Sequence, residues 1–586
     1  MMRRALQLAV SGSLASAAIL QDASQLKESY DFIIVGGGPG GATTANRLTE
    51  STGVNVLLLE AGGANDGVLS IDVPQLCVTL TPSTPWDWNY TTVPQKNLED
   101  RVVPFPRGIG LGGTSAVNCL VYTRGTKSDI DTWATLSGDE SWSWDGMLDS
   151  FKKSEKFNLP VDGHDVSAQY LPEVHGFDGV IGVSVPGSGR ATDERVIAVT
   201  QELEEFPFQI DMNSGEHLGV GWTQVLIDRG VRSSAKAYLA ENYLARPNLD
   251  VLLNAHVARV LQTNSSDVLT LRTVEFQVDG AITNLTASKE VVLSAGAVST
   301  PVILMHSGIG DSSVLAPLGI PVLVDNPSVG ANLTDHIGCS ITYVTNSTKT
   351  LDPLWRNETY YNELLAEWEA NKTGILVDTS ENQVAWLRLS DDDPIWENAT
   401  DPASGPTTAH FEFLFQNGVF PTKETGNYFN LPVGCVSPSS RGSVSINSSD
   451  PFAFPLIDPN LLADPRDIYI VRQGIKAGMR YLNAPAFDGY FIGTLQNFTS
   501  DEDIDAYIRQ NAVSFFHPVA TAAMSPANAS WGVVDPQLLV KGVQGLRVVD
   551  ASVIPRLPAA HTSAATYGVA EKAADIIKAA YPDLFA

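Results

Sequence analysis

One segment near the beginning of the sequence limits the possible folds more than any other. From Tyr30 to Glu60 it reads YDFIIVGGGPGGATTANRLTESTGVNVLLLE. The apolar run Phe32–Val35 has the length and branching of a fully buried parallel strand, and the glycines after it precede a helical pattern. A second apolar run, Val54–Leu59, predicts a neighbouring parallel strand. The segment therefore predicts a strand, helix and strand unit of the Rossmann type.

The glycines of this segment fit a site for the phosphates of a dinucleotide. Gly36, Gly38 and Gly41 occupy the positions of the motif G-x-G-x-x-G, which allow a tight turn, close approach to a pyrophosphate and close packing of helix on strand. The N-terminus of the helix favours phosphate. Glu60 follows the second strand, where an acidic side chain accepts hydrogen bonds from a ribose. The motif by itself leaves both NAD and FAD open.

The charge of the chain excludes two classes of partner. Its 586 residues include 37 Lys and Arg against 66 Asp and Glu, a formal net charge of −29. Nucleic acids and anionic membrane surfaces are bound through basic patches that neutralise phosphate. We therefore expect neither of them as a partner.

The N-terminal segment has the features of a secretory signal peptide. Arg3 and Arg4 precede a mildly apolar run that contains the small residues Ala15 and Ala17. The run is too short and too polar to span a membrane. We predict a signal peptide at 1–20 and a secreted, extracellular protein without a membrane partner.

Glycosylation sequons and cysteines also bear on whether the protein is secreted. The sequons, Asn-X-Ser/Thr, favour a secreted glycoprotein because together they are more than isolated matches. The four cysteines are far apart and include no C-x-x-C, so at most two disulfides are possible and their pairing is open. They predict no metal site. The sequon asparagines are Asn89, Asn264, Asn284, Asn332, Asn346, Asn357, Asn371, Asn398, Asn447, Asn497 and Asn528.

Three further stretches carry a resemblance to a known family. They read GIGLGGTSAVN at Gly108–Asn118, GAVSTPVILMHSGIG at Gly296–Gly310, and, towards the C-terminus, SFFHPVATAAMSP followed by GLRVVDASVIPRLPAAHTSAATYGVAEKAADII. With the N-terminal motif they resemble the glucose-methanol-choline (GMC) family of FAD-dependent oxidoreductases along nearly the whole mature chain. Within that family the sequence is most similar to fungal aryl-alcohol oxidases, through DWNYTT at Asp87–Thr92 and the His-Pro step at His517.

The resemblance implies FAD as the cofactor and a fold of two discontinuous domains. The expected fold class is an α/β FAD-binding, Rossmann-like domain of the GMC type with a second, α+β substrate domain that carries an antiparallel sheet. Family members with covalently held FAD often have His where this chain has Val117, so non-covalent FAD is expected. The FAD-binding domain would comprise residues 28–100, 225–335 and 520–586, and the substrate-binding domain 101–224 and 336–519, with a lid near 417–429.

The FAD contacts implied by the resemblance are spread over the chain. Asp550 follows a predicted buried strand, where parallel sheets place ligand-binding groups. Val257 would act through its backbone around the adenine. The full set is Gly36, Gly38, Gly41, Glu60, Gly113, Asn118, Val257, Asp550, Ala551 and Thr562.

Two of the nine histidines are the candidate catalytic residues. Oxidation of an alcohol needs a base of near-neutral pKa beside the flavin, and histidine suits this role. By resemblance, His517 is the base and His561 hydrogen-bonds and orients the alcohol. They are far apart in sequence, so any meeting must be tertiary. The other histidines are predicted to be structural or surface residues, because no two histidines are close in sequence and neither H-E-x-x-H nor G-x-S-x-G occurs.

The pocket beside these histidines is predicted from the same resemblance. Phe516 and Phe420 match aromatic residues of the access channel and the lid, which would favour flat, apolar alcohols. A sugar would instead need polar groups that pair with its hydroxyls. A third aromatic position of the channel is Cys119, a smaller side chain that widens the pocket.

The sequence therefore predicts a secreted alcohol oxidase. Primary aryl or allylic alcohols would pass a hydride to flavin N5, and oxygen would be reduced to hydrogen peroxide. Three alternatives stay open: a dehydrogenase that uses quinones, an oxidase of secondary-metabolite allylic alcohols or lactols, and a non-redox lyase or cyclase on the same fold. The oligomeric state is not predicted.

Overall fold

The structure is a computed structural model that describes residues 19–263, 268–419 and 425–585. Most of the predicted signal peptide, the sequon asparagine Asn264 and the pocket residue Phe420 with the centre of the predicted lid lie outside the described residues. The described chain begins with a two-residue strand, Ile19–Leu20.

The predicted Rossmann unit forms the centre of an eight-stranded sheet. Tyr30–Val35 pairs in parallel with Val56–Leu59 on one side and with the C-terminal half of Ala281–Leu293 on the other. The glycine segment leads into the helix Pro39–Leu48, as the motif predicts. In spatial order the strands are Ile19–Leu20, Leu249–Leu252, Val56–Leu59, Tyr30–Val35, Ala281–Leu293, Leu271–Val278 and His256–Gln262, and Leu546–Val548 pairs with Ala281–Leu293.

A second, antiparallel sheet of seven strands forms the other half of the molecule. Its long central strand, Ile337–Thr345, pairs with Tyr428–Cys435 and, near one end, with Val513–Ser514. In spatial order the strands are Phe491–Thr494, Ile337–Thr345, Tyr428–Cys435, Phe411–Gln416, Glu381–Leu387 and Gly219–Trp222. The short remaining strands are Ala331–Leu333, Gly442–Ser445 and Leu456–Asp458 in one sheet, and the pairs Glu155–Phe157 with Ile181–Val183, Ile227–Asp228 with Val231–Arg232, and Ile309–Gly310 with Val324–Asp325.

Helices cover both sheets. Pro465–Leu482 packs against Tyr428–Cys435 of the antiparallel sheet. The α-helices are Pro39–Leu48, Leu69–Asp72, Lys127–Ser137, Trp144–Ser154, Asp193–Glu202, Glu241–Leu244, Gly296–His306, Ser312–Leu315, Asp352–Arg356, Glu358–Asn371, Pro465–Leu482, Asp501–Asn511 and Ser563–Ala580. None of the helices in the described ranges is long and apolar enough to cross a membrane.

The last helix brings the C-terminal part of the chain against the first helix, near the N-terminal glycine motif. The amphipathic pattern of the sequence indicates a helix only over Ala570–Ala579. The helix in the structure, Ser563–Ala580, is longer because it already begins directly after Thr562. It packs on Pro39–Leu48. Arg47 donates from Nε to Oε2 and from Nη2 to Oε1 of the buried carboxylate of Glu571, each at 2.8 Å. This contact fixes the C-terminal segment against the glycine motif.

Two apolar cores underlie the two sheets. One surrounds the eight-stranded sheet and the other lies between the seven-stranded antiparallel sheet and its covering helices. The structure therefore has the expected fold class, a Rossmann-like α/β domain with a second domain built on an antiparallel sheet. The predicted domain boundaries remain predictions. Ile19–Leu20 of the eight-stranded sheet lies before the predicted start at residue 28, and the sheet that contains Ala331–Leu333 and Gly442–Ser445 joins both predicted domains.

Candidate active site

A single cavity connects the glycine motif with the catalytic histidines predicted from the sequence. Its volume is about 640 Å³. At one end it is lined by Gly36, Gly38 and Glu60, and at the other by His517 and His561. It therefore reaches from the motif, where the phosphates of a dinucleotide would lie, to the histidines, where its reactive ring would lie.

Glycines are required where the loops of this cavity meet. A Cβ on Gly41 would lie 1.9 Å from the carbonyl oxygen of Gly36, so any larger residue would prevent the helix from packing on the strand. A Cβ on Gly113 would lie 2.9 Å from Cα of Gly38, and Gly113 also has a positive φ of +51°. The two glycine loops thus leave a cradle of bare backbone, which fits the pyrophosphate of FAD.

Glu60 organises the loops around this cradle. Its carboxylate accepts hydrogen bonds from the backbone N–H groups of Gly37 at 2.7 Å, Gly62 at 2.8 Å and Gly110 at 2.9 Å. Burial raises the pKa of Glu60, and the backbone donors oppose that shift. A carboxylate has capacity beyond three hydrogen bonds, so Glu60 still fits the predicted contact with a ribose.

The other predicted FAD contacts also line the cavity, except Gly41, which lies where the helix packs on the strand. Asp550 lies just beyond the strand Leu546–Val548, and its carboxylate accepts hydrogen bonds from the N–H of Gly296 and the hydroxyl of Thr300. It therefore also anchors the start of the helix Gly296–His306, a role that the sequence did not indicate. The remaining lining residues from the predicted set are Gly113, Asn118, Val257, Ala551 and Thr562.

Asn118 is held by protein partners. Its amide nitrogen donates to the hydroxyl of Ser563 at 3.1 Å, and its amide oxygen accepts from Arg232 at 2.9 Å. Asn118 therefore links two neighbouring segments of the protein and also forms part of the cavity wall.

The tertiary structure brings His517 and His561 together. Their ring centroids are 4.6 Å apart, and both rings line the cavity. Burial, followed by the nearby His561, His336 and Arg107, holds the pKa of His517 well below its ordinary value. His517 is therefore neutral at physiological pH and has a nitrogen lone pair available to take a proton.

Asp335 and Arg107 hold the segment that carries His517. The backbone N–H of His517 donates to Asp335 at 2.7 Å, and a guanidinium N–H of Arg107 donates to the carbonyl of Phe516 at 2.6 Å. Burial raises the pKa of Asp335 to about 6 and lowers that of Arg107 to about 10. Phe516 has a positive φ of 64°, so these bonds stabilise a strained turn directly before His517.

His561 is oriented by a buried carboxylate. Its Nε2 lies 3.1 Å from Oε2 of Glu412, and its backbone N–H donates to the hydroxyl of Thr123 at 2.9 Å. Glu412 is fully buried on the strand Phe411–Gln416. Since a carboxylate accepts hydrogen bonds, Glu412 favours a proton on Nε2 of His561 and leaves its Nδ1 to meet a substrate.

Sequence reasoning did not identify Glu412, Asp335 or Arg107. Alternation along the strand Phe411–Gln416 places Glu412 on the same face as Leu414 and Gln416, both of which line the cavity. Asp335 is followed directly by His336, and this pair of titratable residues is the only local feature that could have pointed to either of them as a site residue. The partners of all three are distant along the chain, and no local pattern reports such pairings.

The wall formed by the antiparallel sheet is polar. Asn430 donates to the side-chain oxygen of Gln416 at 2.8 Å, and Gln416 donates to the hydroxyl of Ser380 at 3.2 Å. Glu381 accepts a hydrogen bond from Ser380, and burial raises the pKa of Glu381. These four residues and Ser340 line the cavity. They form a polar wall on four neighbouring strands or at their ends.

Cys119 lines the cavity, and its disulfide pairing, which the sequence leaves open, is with Cys77. Both residues line the cavity, so the wall at this position is a cross-linked cystine. In the described part of the chain Cys339 and Cys435 are free and buried.

The two predicted aromatic residues have different outcomes. Phe516 lines the cavity and is 36% exposed, so it lies at the cavity mouth beside His517. Phe420 is outside the described residues. Phe515, which the sequence analysis did not single out, also lines the cavity and packs near Gly338 and Gly434 of the antiparallel sheet.

Comparison with family models identifies the family to which this chain belongs. The family model for GMC oxidoreductases matches residues 30–338 in its N-terminal part and 438–570 in its C-terminal part. The chain belongs to the GMC oxidoreductase family. As a GMC oxidoreductase it is an FAD-dependent enzyme that acts on CH–OH donors, and the cradle and cavity described above fit that cofactor.

Relatives within the GMC family differ in their named activities. The sequence is 41% identical to a pyranose dehydrogenase from Agaricus campestris over 94% of each chain, and 39% identical to Dehydrogenase eriK from Hericium erinaceus over 97% of each chain. Among solved structures, a fungal aryl-alcohol oxidase superposes with a TM-score of 0.83, with 29% identity over 95% of this chain and 100% of that one. A formate oxidase from Aspergillus oryzae, studied for modification of its FAD, superposes with a TM-score of 0.88, with 30% identity over 95% of this chain and 99% of that one.

Proposed function

We propose that the protein is a secreted FAD-dependent dehydrogenase of sugars that passes electrons to a quinone-type acceptor. The observation that carries this proposal is the polar wall of Glu381, Gln416, Asn430, Ser340 and Ser380. A substrate with several hydroxyls could replace or extend the hydrogen bonds within that wall. A flat, apolar alcohol would cover the wall without using the hydrogen-bonding capacity that its side chains have left, at a cost of about 1 to 3 kcal/mol for each buried group left unpaired.

The names of the relatives support the same substrate class. Two of the proteins with the identities given above are called dehydrogenases, and one of these is a pyranose dehydrogenase. The sequence prediction of an aryl or allylic alcohol oxidase rests on the resemblance to aryl-alcohol oxidases, and the pocket expected from it was described through Phe516, Phe420 and Cys119. Of these, Cys119 is cross-linked and Phe420 is not described.

The residues of the site would divide the reaction between them. The substrate hydroxyl would donate its proton to the unprotonated ring nitrogen of His517, while the C–H bond of the same carbon breaks and leaves a carbonyl. When bound, non-covalent FAD supplies a two-electron acceptor for the hydride. His561, held by Glu412, would accept a hydrogen bond at Nδ1 and orient the substrate. The polar wall would hold the remaining hydroxyls.

A panel of substrates under anaerobic conditions tests the proposal. Monosaccharides, benzyl alcohol and an allylic alcohol are each mixed with the holoenzyme, and bleaching of the flavin is followed by absorbance. We expect monosaccharides to reduce the flavin and the reduced enzyme to react with benzoquinone faster than with oxygen. Preferential reduction by benzyl alcohol with release of peroxide would instead indicate an aryl-alcohol oxidase. Turnover without any bleaching would indicate a non-redox enzyme.

Replacement of the base tests the assignment of His517. His517→Ala should lower the rate constant of flavin reduction about 10²- to 10⁴-fold, the usual contribution of a positioned base. FAD should remain bound, because the residues of the cradle are unchanged. His306→Ala is the matched control, since His306 lies at the far end of the helix Gly296–His306. An unchanged reduction rate in His517→Ala would refute the assignment.

A further inference from the structure

A third histidine lies against the proposed base. Nδ1 of His336 is 3.0 Å from Nδ1 of His517, and the two rings are nearly perpendicular, with an interplanar angle of 87°. At that distance one nitrogen must carry the proton and the other must accept it, because two lone pairs or two N–H groups would repel. The identity of the donor decides which nitrogen of His517 can act as a base.

The surroundings of His336 indicate the direction of this hydrogen bond. His336 is fully buried, and its other nitrogen, Nε2, has no partner with good hydrogen-bond geometry among the described residues. The backbone carbonyls of Val436 and Pro558 nevertheless lie close enough to favour a proton on the ring. Because Nδ1 already faces His517, Nε2 is the ring nitrogen left to donate towards these carbonyls, so we infer that a neutral His336 carries its proton on Nε2. Its Nδ1 then holds a lone pair.

His336 also stays neutral where the enzyme works. Burial lowers its pKa to about 3, and the nearby His561 adds to that effect. Of the groups on neighbouring elements, Asp335 is occupied by the hydroxyl of Ser514 and the backbone N–H of His517. A neutral ring that accepts at Nδ1 is therefore the state consistent with all contacts of His336.

We propose that His336 is a positioning residue that fixes the tautomer of His517. It accepts the Nδ1–H of His517, so that Nε2 of His517 is the unprotonated nitrogen that receives the substrate proton. With the opposite direction of the bond, Nε2 of His517 would already carry a proton and could not serve as the base. The inference rests on the proposed role of His517, but it makes a separate claim about where the resting proton lies.

The tautomer can be measured directly on the unaltered holoenzyme. The protein is labelled with ¹⁵N-histidine, and the ring nitrogens of His517 are assigned by their disappearance in His517→Ala. Above pH 7 we expect a protonated Nδ1 and an unprotonated Nε2 in His517, and the reverse pattern in His336. A protonated Nε2 in resting His517 would overturn the proposal. This outcome does not depend on whether any substrate is turned over.

Two variants of His336 give a kinetic test. His336→Asn keeps an oxygen acceptor near the position of Nδ1, whereas His336→Leu removes it. We expect His336→Leu to lower the rate constant of flavin reduction about 10- to 100-fold, as losses of orienting partners commonly do, and His336→Asn to stay within about threefold of the unaltered enzyme. The dissociation constant of the substrate should be unchanged in both, and His306→Leu serves as the control for loss of a buried histidine.

The outcomes separate this proposal from the proposed function. Equal rates in the Asn and Leu variants, or a loss confined to substrate binding, would overturn the role of His336. An unaffected His517→Ala would instead overturn the base, while the ¹⁵N measurement still reports the tautomer. If His336→Leu does not fold, the ¹⁵N measurement on the unaltered enzyme decides the question.

Discussion

At the scale of single residues, the active site depends on how burial and neighbours set the protonation of two histidines. His517 is held neutral by burial and by nearby cationic or titratable groups. His561 is paired with Glu412. The two rings, 4.6 Å apart, are thus in different electrostatic environments. Such a division suits one residue to take a proton and the other to orient the substrate.

The depressed pKa of His517 predicts a flat pH profile for flavin reduction. A base is active when unprotonated, so activity is present above its pKa and is lost only as the pH falls through that pKa. An unperturbed histidine would lose half of its active form near pH 6.5. We therefore expect the limiting rate constant of reduction, measured by anaerobic stopped flow, to be constant from about pH 8 to about pH 6. A half-maximal rate near pH 6.5 would contradict this prediction.

At the scale of elements, the cofactor site is formed where two glycine loops and a helix start approach one another. Gly38 and Gly113 lie on separate segments that only the fold brings into contact. The helix Pro39–Leu48 is fixed from behind by Ser563–Ala580. The order of strand, glycines and helix can be read from one continuous stretch of sequence. The shape of the cradle, however, requires the segments of both Gly38 and Gly113.

Substitution of one motif glycine tests the packing of the first helix. In Gly41→Ala the new Cβ would lie 1.9 Å from the carbonyl oxygen of Gly36. Overpacking of this kind costs about 1 to 3 kcal/mol, so we expect FAD affinity to fall about 5- to 150-fold. Gly53→Ala is the matched control, because a Cβ at Gly53 would meet no atom within 4 Å. Flavin content is read from the ratio of visible to ultraviolet absorbance, and equal FAD retention by the two variants would contradict the packing argument.

A second element-level feature is a buried ionic network outside the active site. His175 lies 2.6 Å from Glu155 and 2.9 Å from Asp211, and Glu155 also pairs with Arg124. Burial opposes a charged imidazole, but hydrogen bonds to Asp211 and Glu155 outweigh it and raise the pKa of His175. The network joins the end of the helix Trp144–Ser154 to the loops that contain His175 and Asp211.

This network predicts a stability that depends on pH. Because the pKa of His175 is higher in the folded state, its contribution is fully present below the unfolded value of about 6.5 and is lost as the pH rises through the folded value. His175→Gln should lower the free energy of unfolding by about 3 to 5 kcal/mol at pH 6, and by less at pH 9. Thermal denaturation at both pH values measures the difference. His164→Gln, which removes an exposed pairing with Asp162, should have little effect.

At the scale of the whole molecule, two features support the proposal of secretion. Every sequon asparagine in the described ranges is exposed, among them Asn284 on a strand and Asn357 at a helix start. The disulfide between Cys77 and Cys119 is typical of proteins that fold in an oxidising compartment. Secretion remains a proposal, because most of the predicted signal peptide lies outside the described residues.

Enzymatic removal of glycans tests that proposal. We expect the protein recovered from the medium of a eukaryotic expression host to lose mass on native deglycosylation and to keep its FAD, since the exposed sequons do not line the cavity. Mass spectrometry of the intact protein and the visible spectrum of the flavin provide the two readouts. Intracellular retention without glycan would contradict secretion.

The order of motifs along the chain was enough to predict the family, the cofactor and the fold class. The strand and glycines at Tyr30–Gly41 predict a Rossmann-type unit from their local geometry. The segments around His517 and His561 carry the resemblance to the family. Such patterns are readable because neighbouring residues determine turns, helix starts and buried strands. The start of the last helix was less predictable, because Ser563 begins it inside the active-site segment and not at the start of an amphipathic pattern.

Only the tertiary structure decided which partners the site residues have. His336 beside His517, Glu412 beside His561, the polar wall and the disulfide at Cys119 all join residues that are distant in sequence. These contacts arise where two sheets enclose one cavity, and their energies depend on burial and distance. The sequence by itself therefore determined what kind of enzyme this is, whereas the packing of the two domains determined the protonation of His517, the proposed base, and the polarity of the cavity wall beside it.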